Sequence, residues 1–90
     1  LAFSIVVIDD KDNVGVALTD IPAGDAISLP DGSSLVVTSD VPYSHKVALR
    51  PIPCGEPVIK YGEVIGVAAR EIDAGEWVHT HNLEAQEAGT

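Results

Sequence analysis

Apolar residues fall in runs of four to six, rich in Val and Ile and separated by turn residues. No stretch sustains the three-to-four-residue spacing of an amphipathic helix. The pattern predicts strands at 3–8, 14–18, 26–29, 34–38, 46–49, 57–60, 64–68 and 76–81, and so an all-β domain. The stretches DDKDN at 9–13 and PDGS at 30–33 read as turns, because Asp and Asn bond their own backbone and Gly accepts positive φ. Residues 83–90, polar and rich in Ala and Glu, read as a tail or linker following a domain of residues 1–82.

The runs also repeat. VGVALTDIPAGDAI at 14–27 aligns without a gap on IGVAAREIDAGEWV at 65–78, with six of fourteen positions identical, two Val/Ile exchanges and two Asp/Glu exchanges. A shorter copy, IPCGEPV, lies at 52–58. Each reads apolar, two spacers, Gly, acid, spacer, apolar, which suits a tight turn whose Gly is left-handed. So few copies do not make a solenoid, so one compact unit with approximate internal two-fold symmetry is expected. Gly15 and Gly66, at matching strand positions, predict bulges or close backbone crossings.

Size and charge narrow the function. A chain of 90 residues buries only about two-thirds of its unfolded surface, so a deep internal active site is not expected and any chemistry calls for a partner surface. The longest apolar stretch, at 1–8, is too short to span a bilayer and lacks the basic flank of a signal peptide. The chain therefore reads as soluble, and its first residue, Leu1, as the start of a processed chain or of a piece of a longer one. The single Cys54 allows no internal disulfide and no zinc-finger spacing, which favours a cytoplasmic location. Fourteen acids against five bases give a net charge of −9, which argues against nucleic acid or an anionic membrane as partner. Against that background, residues 41–55 hold no acid and carry His45, Lys46 and Arg50, with Lys60 close behind. They form a locally positive island.

The closing HTHN at 79–82 poses a chemical question. On a strand, His79 and His81 would share a face roughly 6.6 Å apart, able to share a metal or to stand solvated at a fraying end. Trp77 reads as core or interface packing, and Cys54, beside a turn Gly, as structural.

SHKVAL at 44–49, VIKYGEVIG at 58–66 and AGEWVHTHN at 74–82, in that order after DNVGVAL at 12–18, resemble the small N-terminal domain of the altronate and galactarate dehydratases. They are similar too to the small subunit of the related sulfolactate sulfo-lyase. The resemblance covers about residues 5–82 and implies a compact β-clip of the SAF type, built of short, bent strands. Where the family usually has Gly before the His-Lys pair, this chain has Ser44. The resemblance implies removal of water from a hydroxylated sugar acid, with a divalent metal, iron or manganese, shared with a large dehydratase domain that completes the site. It makes His45 and Lys46 the expected catalytic residues, Tyr43, Lys60, Tyr61 and Gly62 substrate-binding, and His79 and His81 metal ligands, with His45, Glu76 or a partner residue as the third ligand. A sulfo-lyase small subunit, a non-catalytic SAF-type binding or assembly module, and a piece that self-associates through its edge strands are the competing expectations.

Overall fold

A computed structural model describes residues 4–85 and contains only strands and turns among them. The strands are β1 (Ile5–Val6), β2 (Val14–Ala17), β3 (Ala26–Ser28), β4 (Ser34–Val36), β5 (Lys46–Ala48), β6 (Pro57–Lys60), β7 (Glu63–Ala68), β8 (Trp77–Val78) and β9 (Leu83–Ala85). Every pairing is antiparallel, and the strands form a sheet in the order β1-β2-β5-β8, a hairpin β3-β4, and a sheet β6-β7-β9. The chain is therefore an all-β domain of short strands. Val and Ile favour the extended backbone, while Pro, Asp and Gly interrupt it every few residues.

Four copies of one turn organise this fold. At Pro22–Asp25, Pro42–His45, Pro53–Glu56 and Asp73–Glu76, the fourth residue's N–H donates to the first residue's carbonyl, at 3.0 to 3.2 Å. The third residue of each has positive φ: Gly24 at 94°, Ser44 at 67°, Gly55 at 87° and Gly75 at 88°. These are type II turns. The copies pair two by two, through bridges Ile21↔Val41 and Ile52↔Ile72. Two apolar clusters follow, the first containing Ala17, Ile21, Ile27, Val37, Val41 and Val47 and the second Ala48, Ile52, Val58, Ala68, Ile72 and Val78. These six residues of the second lie 31 positions after their counterparts in the first (17 and 48, 21 and 52, through to 47 and 78), while Ile5 of the first and Val14 of the second stand outside the relation. A two-fold repeat is present as expected, but its mates are 31 positions apart and not the segments 14–27 and 65–78 whose alignment suggested it.

The turn at 42–45 was not visible in the sequence because Ser44 replaces its Gly. A left-handed L-residue costs about 1–2 kcal/mol, against about 0.5–1 kcal/mol for the greater unfolded freedom of Gly. Ser44→Gly is therefore expected to stabilise the domain by about 0.5–1 kcal/mol, read as a higher urea midpoint at unchanged m-value.

Two expected boundaries move. The strand expected at 76–81 ends at Val78, and Leu83–Ala85, expected in the tail, forms β9 on β7 with Leu83 opposite Ala68. Leu83 packs on the second cluster, and bare Gly66 lets the β9 backbone come close: a Cβ there would run into the Glu84 carbonyl oxygen. That is the close crossing Gly66 predicted. The strand expected at 3–8 is paired only at Ile5–Val6, with Phe3 outside the described residues, as are residues 86–90 of the expected tail.

Candidate functional site

Strands β5 and β8 lie side by side, with Lys46 opposite Val78 and Val47 opposite Trp77. Continued one step, this register sets His45 opposite His79, and their rings are 4.7 Å apart. Trp77 and His79, two apart in the chain, share a face and stack with ring planes 10° apart and centroids at 5.2 Å. Diagonally across the pair, the Trp77 indole Nε1–H donates to His45 Nδ1 at 3.1 Å.

His81 arrives by a different route from the strand alternation expected of it. The chain turns at 79–82, where the His79 carbonyl accepts the Leu83 N–H at 2.9 Å. Fully buried Asn82 holds the turn: its Oδ1 accepts the His79 N–H at 2.9 Å, and its Nδ2 donates to the Trp77 carbonyl at 2.9 Å and to Glu76 Oε2 at 3.3 Å. The His79 N–H is thus satisfied by a side chain, so no further strand pairing is needed there. The turn brings the His81 ring to 5.0 Å from the Trp77 ring, tilted 44°. Three histidines from opposite ends of the second half of the sequence therefore gather around one tryptophan.

Two lysines border this group. Lys46 is half-buried, and burial first, then the Lys60 ammonium, pushes its pKa below the usual lysine value. Lys60 ends β6 with its Nζ 5.1 Å from the centre of the Tyr61 ring. For His79, burial comes first and then the charges of His45, Lys46 and His81, which together hold the imidazole below its usual pKa and so neutral at pH 7. The three histidines share one face of the β5–β8 pair, and Lys46, which alternates with His45 along the chain, lies within electrostatic reach of both His79 and Lys60.

The remaining expected residues sit at its edges. Tyr43 is exposed in the turn at 42–45, its backbone N–H bonded to Asp20 Oδ1 at 2.8 Å. Tyr61 and Gly62 form the two-residue tip of the β6–β7 hairpin, with φ of 56° and 77°. Such a tip favours Asn and Gly, and Tyr61 is the strained member. Gly62 faces away from the lysines: its N–H donates to Asp12 Oδ1 at 2.8 Å, and a Cβ on it would lie 2.8 Å from Asp9 Oδ2.

Asp12 and Asn13 were read only as turn residues, yet both are buried and both hold the hairpin that carries Lys60. Asp12 Oδ2 accepts the Ile8 and Asp9 N–H groups at 3.3 and 3.1 Å. Burial raises its pKa, but the bonds from Gly62, Asp9, Tyr61 and Ile8 outweigh this and hold it below the usual carboxylate value. Asn13 exchanges side-chain bonds with β6, donating to the Pro57 carbonyl at 2.8 Å and accepting the Ile59 N–H at 2.7 Å. Their signal in the sequence is their place immediately before a buried strand, where a solvated Asp-Asn pair does not fit.

A metal ion needs more than the described residues offer by themselves. Among the described residues no three His, Cys, Asp or Glu side chains are grouped to hold one. Glu76 is occupied: Oε1 accepts the Asp73 N–H at 2.9 Å, and Oε2 meets Asn82 and, at 3.9 Å, Arg70. The neutral imidazole of His79 and the nearby His81 suit two positions of a larger ligand set. The face is open, and neither the cleft of about 510 Å³ beside Asp9, Asp31 and Arg50 nor the one of about 320 Å³ beside Asp20 and Asp40 includes any of the histidines.

Residues 3–86 match the family described as the altronate/galactarate dehydratase SAF domain. The chain belongs to this family. The SAF domain is 39% identical over 81 residues to altronate dehydratase of Bacillus subtilis (strain 168), covering 90% of this chain and 16% of that protein. It is 38% identical to galactarate dehydratase (L-threo-forming) of Escherichia coli (strain K12), again over 90% of this chain but 15% of the relative. The chain thus spans about one-sixth of the dehydratases it matches. It is also 33% identical to (2R)-sulfolactate sulfo-lyase subunit alpha of Chromohalobacter salexigens, over 96% of this chain and 98% of that subunit. No helix among the described residues of the SAF domain is long and apolar enough to cross a membrane.

Proposed function

We propose that this SAF domain is the small part of a cytoplasmic sugar-acid dehydratase, acting on an altronate-like or galactarate-like hydroxy acid at a site completed by a large domain. The observation that carries the reading is a basic patch: three histidines around Trp77, with Lys46 within electrostatic reach of His79 and Lys60 of Lys46, in a protein of net charge −9. Such a patch suits a carboxylate ligand, and its openness suits a covering partner.

Dehydration of a hydroxy acid requires that a base take the proton beside the carboxylate. The enediolate that forms must be stabilised, and hydroxide must leave with an acid's or a metal's help. In this reading Lys46 and Lys60 balance the substrate carboxylate as negative charge builds on it, and His45 bonds a substrate oxygen. Tyr43 and Tyr61 border the bound acid, and Gly62 shapes the hairpin that presents Lys60. His79 and His81 hold an iron or manganese ion together with ligands of the large domain. When bound, the metal supplies a Lewis acid for the developing oxyanion.

The likeness to sulfo-lyase subunit alpha supports a second reading, in which the same face serves a sulfolactate and sulfite leaves in place of water. Assay of the complete enzyme against aldonates, aldarates and sulfolactate separates the two. The 90-residue chain alone, given the same substrates and ferrous iron, is expected to show no turnover, since it holds too few acids and bases in one place. Robust turnover by the chain alone would sink the reading. In the complete enzyme, the His79→Ala, His81→Ala double variant is expected to lose bound iron or manganese, measured by elemental analysis, and activity with it. Unchanged metal content in the variant would leave the pair as a solvated turn.

A further inference from the structure

His45 has two ring nitrogens, and one is committed. An indole N–H can only donate, so the 3.1 Å bond from Trp77 Nε1 to His45 Nδ1 uses the lone pair of Nδ1. The neutral ring must then carry its proton on Nε2. We propose that Trp77 is a positioning residue that locks His45 in the Nε2–H form, so that His45 offers substrate a hydrogen-bond donor and not a proton-accepting base. The donor role rests on the reading of His45 as substrate-facing; the lock does not.

Both partners are held in place. Trp77 is fixed through its backbone N–H to Ser39 Oγ at 2.9 Å, through its carbonyl to Asn82, and by His79 stacked on its ring. His45 is fixed by its N–H to the Pro42 carbonyl at 3.0 Å and by its own carbonyl, which accepts the Ala17 N–H at 2.8 Å. Trp77 also packs on the first cluster, but the imidazole of His45 is not demanded by the fold. At the place of His45, the other three turns carry the acids Asp25, Glu56 and Glu76, and none of those makes a bond to an indole. The Trp–His pair exists only where the second and fourth turns meet. A donor held in this way requires no reorganisation when a negative oxygen arrives, whereas general-base catalysis would need a free lone pair at Nε2.

Nitrogen-15 NMR of the labelled chain, at a pH where the imidazoles are neutral, tests the lock without any substrate. The expected spectrum shows a pyridine-type Nδ1 and a pyrrole-type Nε2 for His45, with scalar coupling between Trp77 Nε1 and His45 Nδ1. In Trp77→Phe the coupling disappears and the two tautomers mix. A proton on Nδ1 in the wild type, or an indole N–H exchanging freely with solvent, overturns the lock. The donor role is tested in the complete enzyme, where the amide of His45→Gln places an N–H near the position of Nε2 but accepts no proton. His45→Gln is expected to keep kcat/KM within roughly tenfold of wild type, with His45→Ala falling well below it. If His45→Gln falls as far as His45→Ala, His45 transfers a proton and the donor role is wrong. An unchanged rate in His45→Ala defeats both the donor role and the substrate-facing reading, while the NMR result stands by itself.

Discussion

Replacing Asp12 with Ala is expected to cost the domain about 3–5 kcal/mol, and to do so far from any chemistry. The carboxylate accepts N–H groups from Ile8, Asp9 and Gly62 in a nearly solvent-free position, 2% exposed. Hydrogen bonds to a charged group are worth about 1.5–3 kcal/mol each, and Ala leaves donors without partners. For a domain of this size the loss corresponds to a melting point lower by more than about 10 °C. Asp10→Ala, two residues away in the same turn and exposed, should change stability by less than about 0.5 kcal/mol. The pH dependence has a definite sign. The folded pKa of Asp12 lies below its unfolded value of 3.8, so its contribution is fully present above that value and is lost as pH falls through the folded one. Acid titration of thermal stability, compared between wild type and Asp12→Asn, isolates this contribution. Equal stability of Asp12→Ala and wild type at pH 7 would show that the loop and hairpin are held by Asn13 alone.

Lys46→Met, in the complete enzyme, is expected to lower kcat/KM roughly 10-fold to 150-fold, the equivalent of about 1.5–3 kcal/mol for one charge-assisted bond. Lys11→Met, which removes the same charge from an exposed turn, is the control: a long-range field would act on both, and only contact separates them. Stability should move the other way. The ammonium of Lys46 is disfavoured in the folded state by burial and by Lys60, so its pKa is lowered and its charge is a cost at neutral pH, relieved as pH rises toward 10.5. Met keeps the apolar stem and removes that cost, so the melting temperature should hold or rise while activity falls. Equal losses of activity from the two substitutions would place Lys46 outside the site.

How much of this could be read from the chain depends on where the information lies. The strand at 57–60 is present as expected, and the turns marked by Gly24, Gly55 and Gly75 were legible because apolar spacing and left-handed Gly are local properties. The turn at 42–45 was hidden by Ser44, although it forms the same bonds as its sisters. The repeat was visible at a spacing of 51, between the first and last turns, because those two share six identical residues, among them the buried pairs Ala17/Ala68 and Ile21/Ile72 and the turn glycines Gly24/Gly75. The spacing of 31 that relates the two cores is written over one stretch only, VALTDIPAG at 16–24 against VALRPIPCG at 47–55 with six of nine positions identical, and elsewhere it is kept by buried apolar character. At the site, the resemblance singled out His45, Lys46, Lys60, His79 and His81; the structure gathers the three histidines around Trp77, with Lys46 in electrostatic reach of His79 and Lys60 of Lys46. The alternation argument for His79 and His81 failed because Asn82, three residues on, supplies the bond that a neighbouring strand would have supplied. Asp12 was missed for the same reason: its partner Gly62 lies 50 residues away.

The doubled core bears on how such a domain can change over generations. Its shape is specified twice, by two matched sets of buried residues, whereas the cationic face is written once, where β5 meets β8. Drift in surface residues around Gly24 and Gly55 leaves both cores untouched. The exposed ends of β5 and β8 can be rewritten for another acid without renegotiating the fold. Inheritance of the scaffold and invention at the face are, in this architecture, separate transactions.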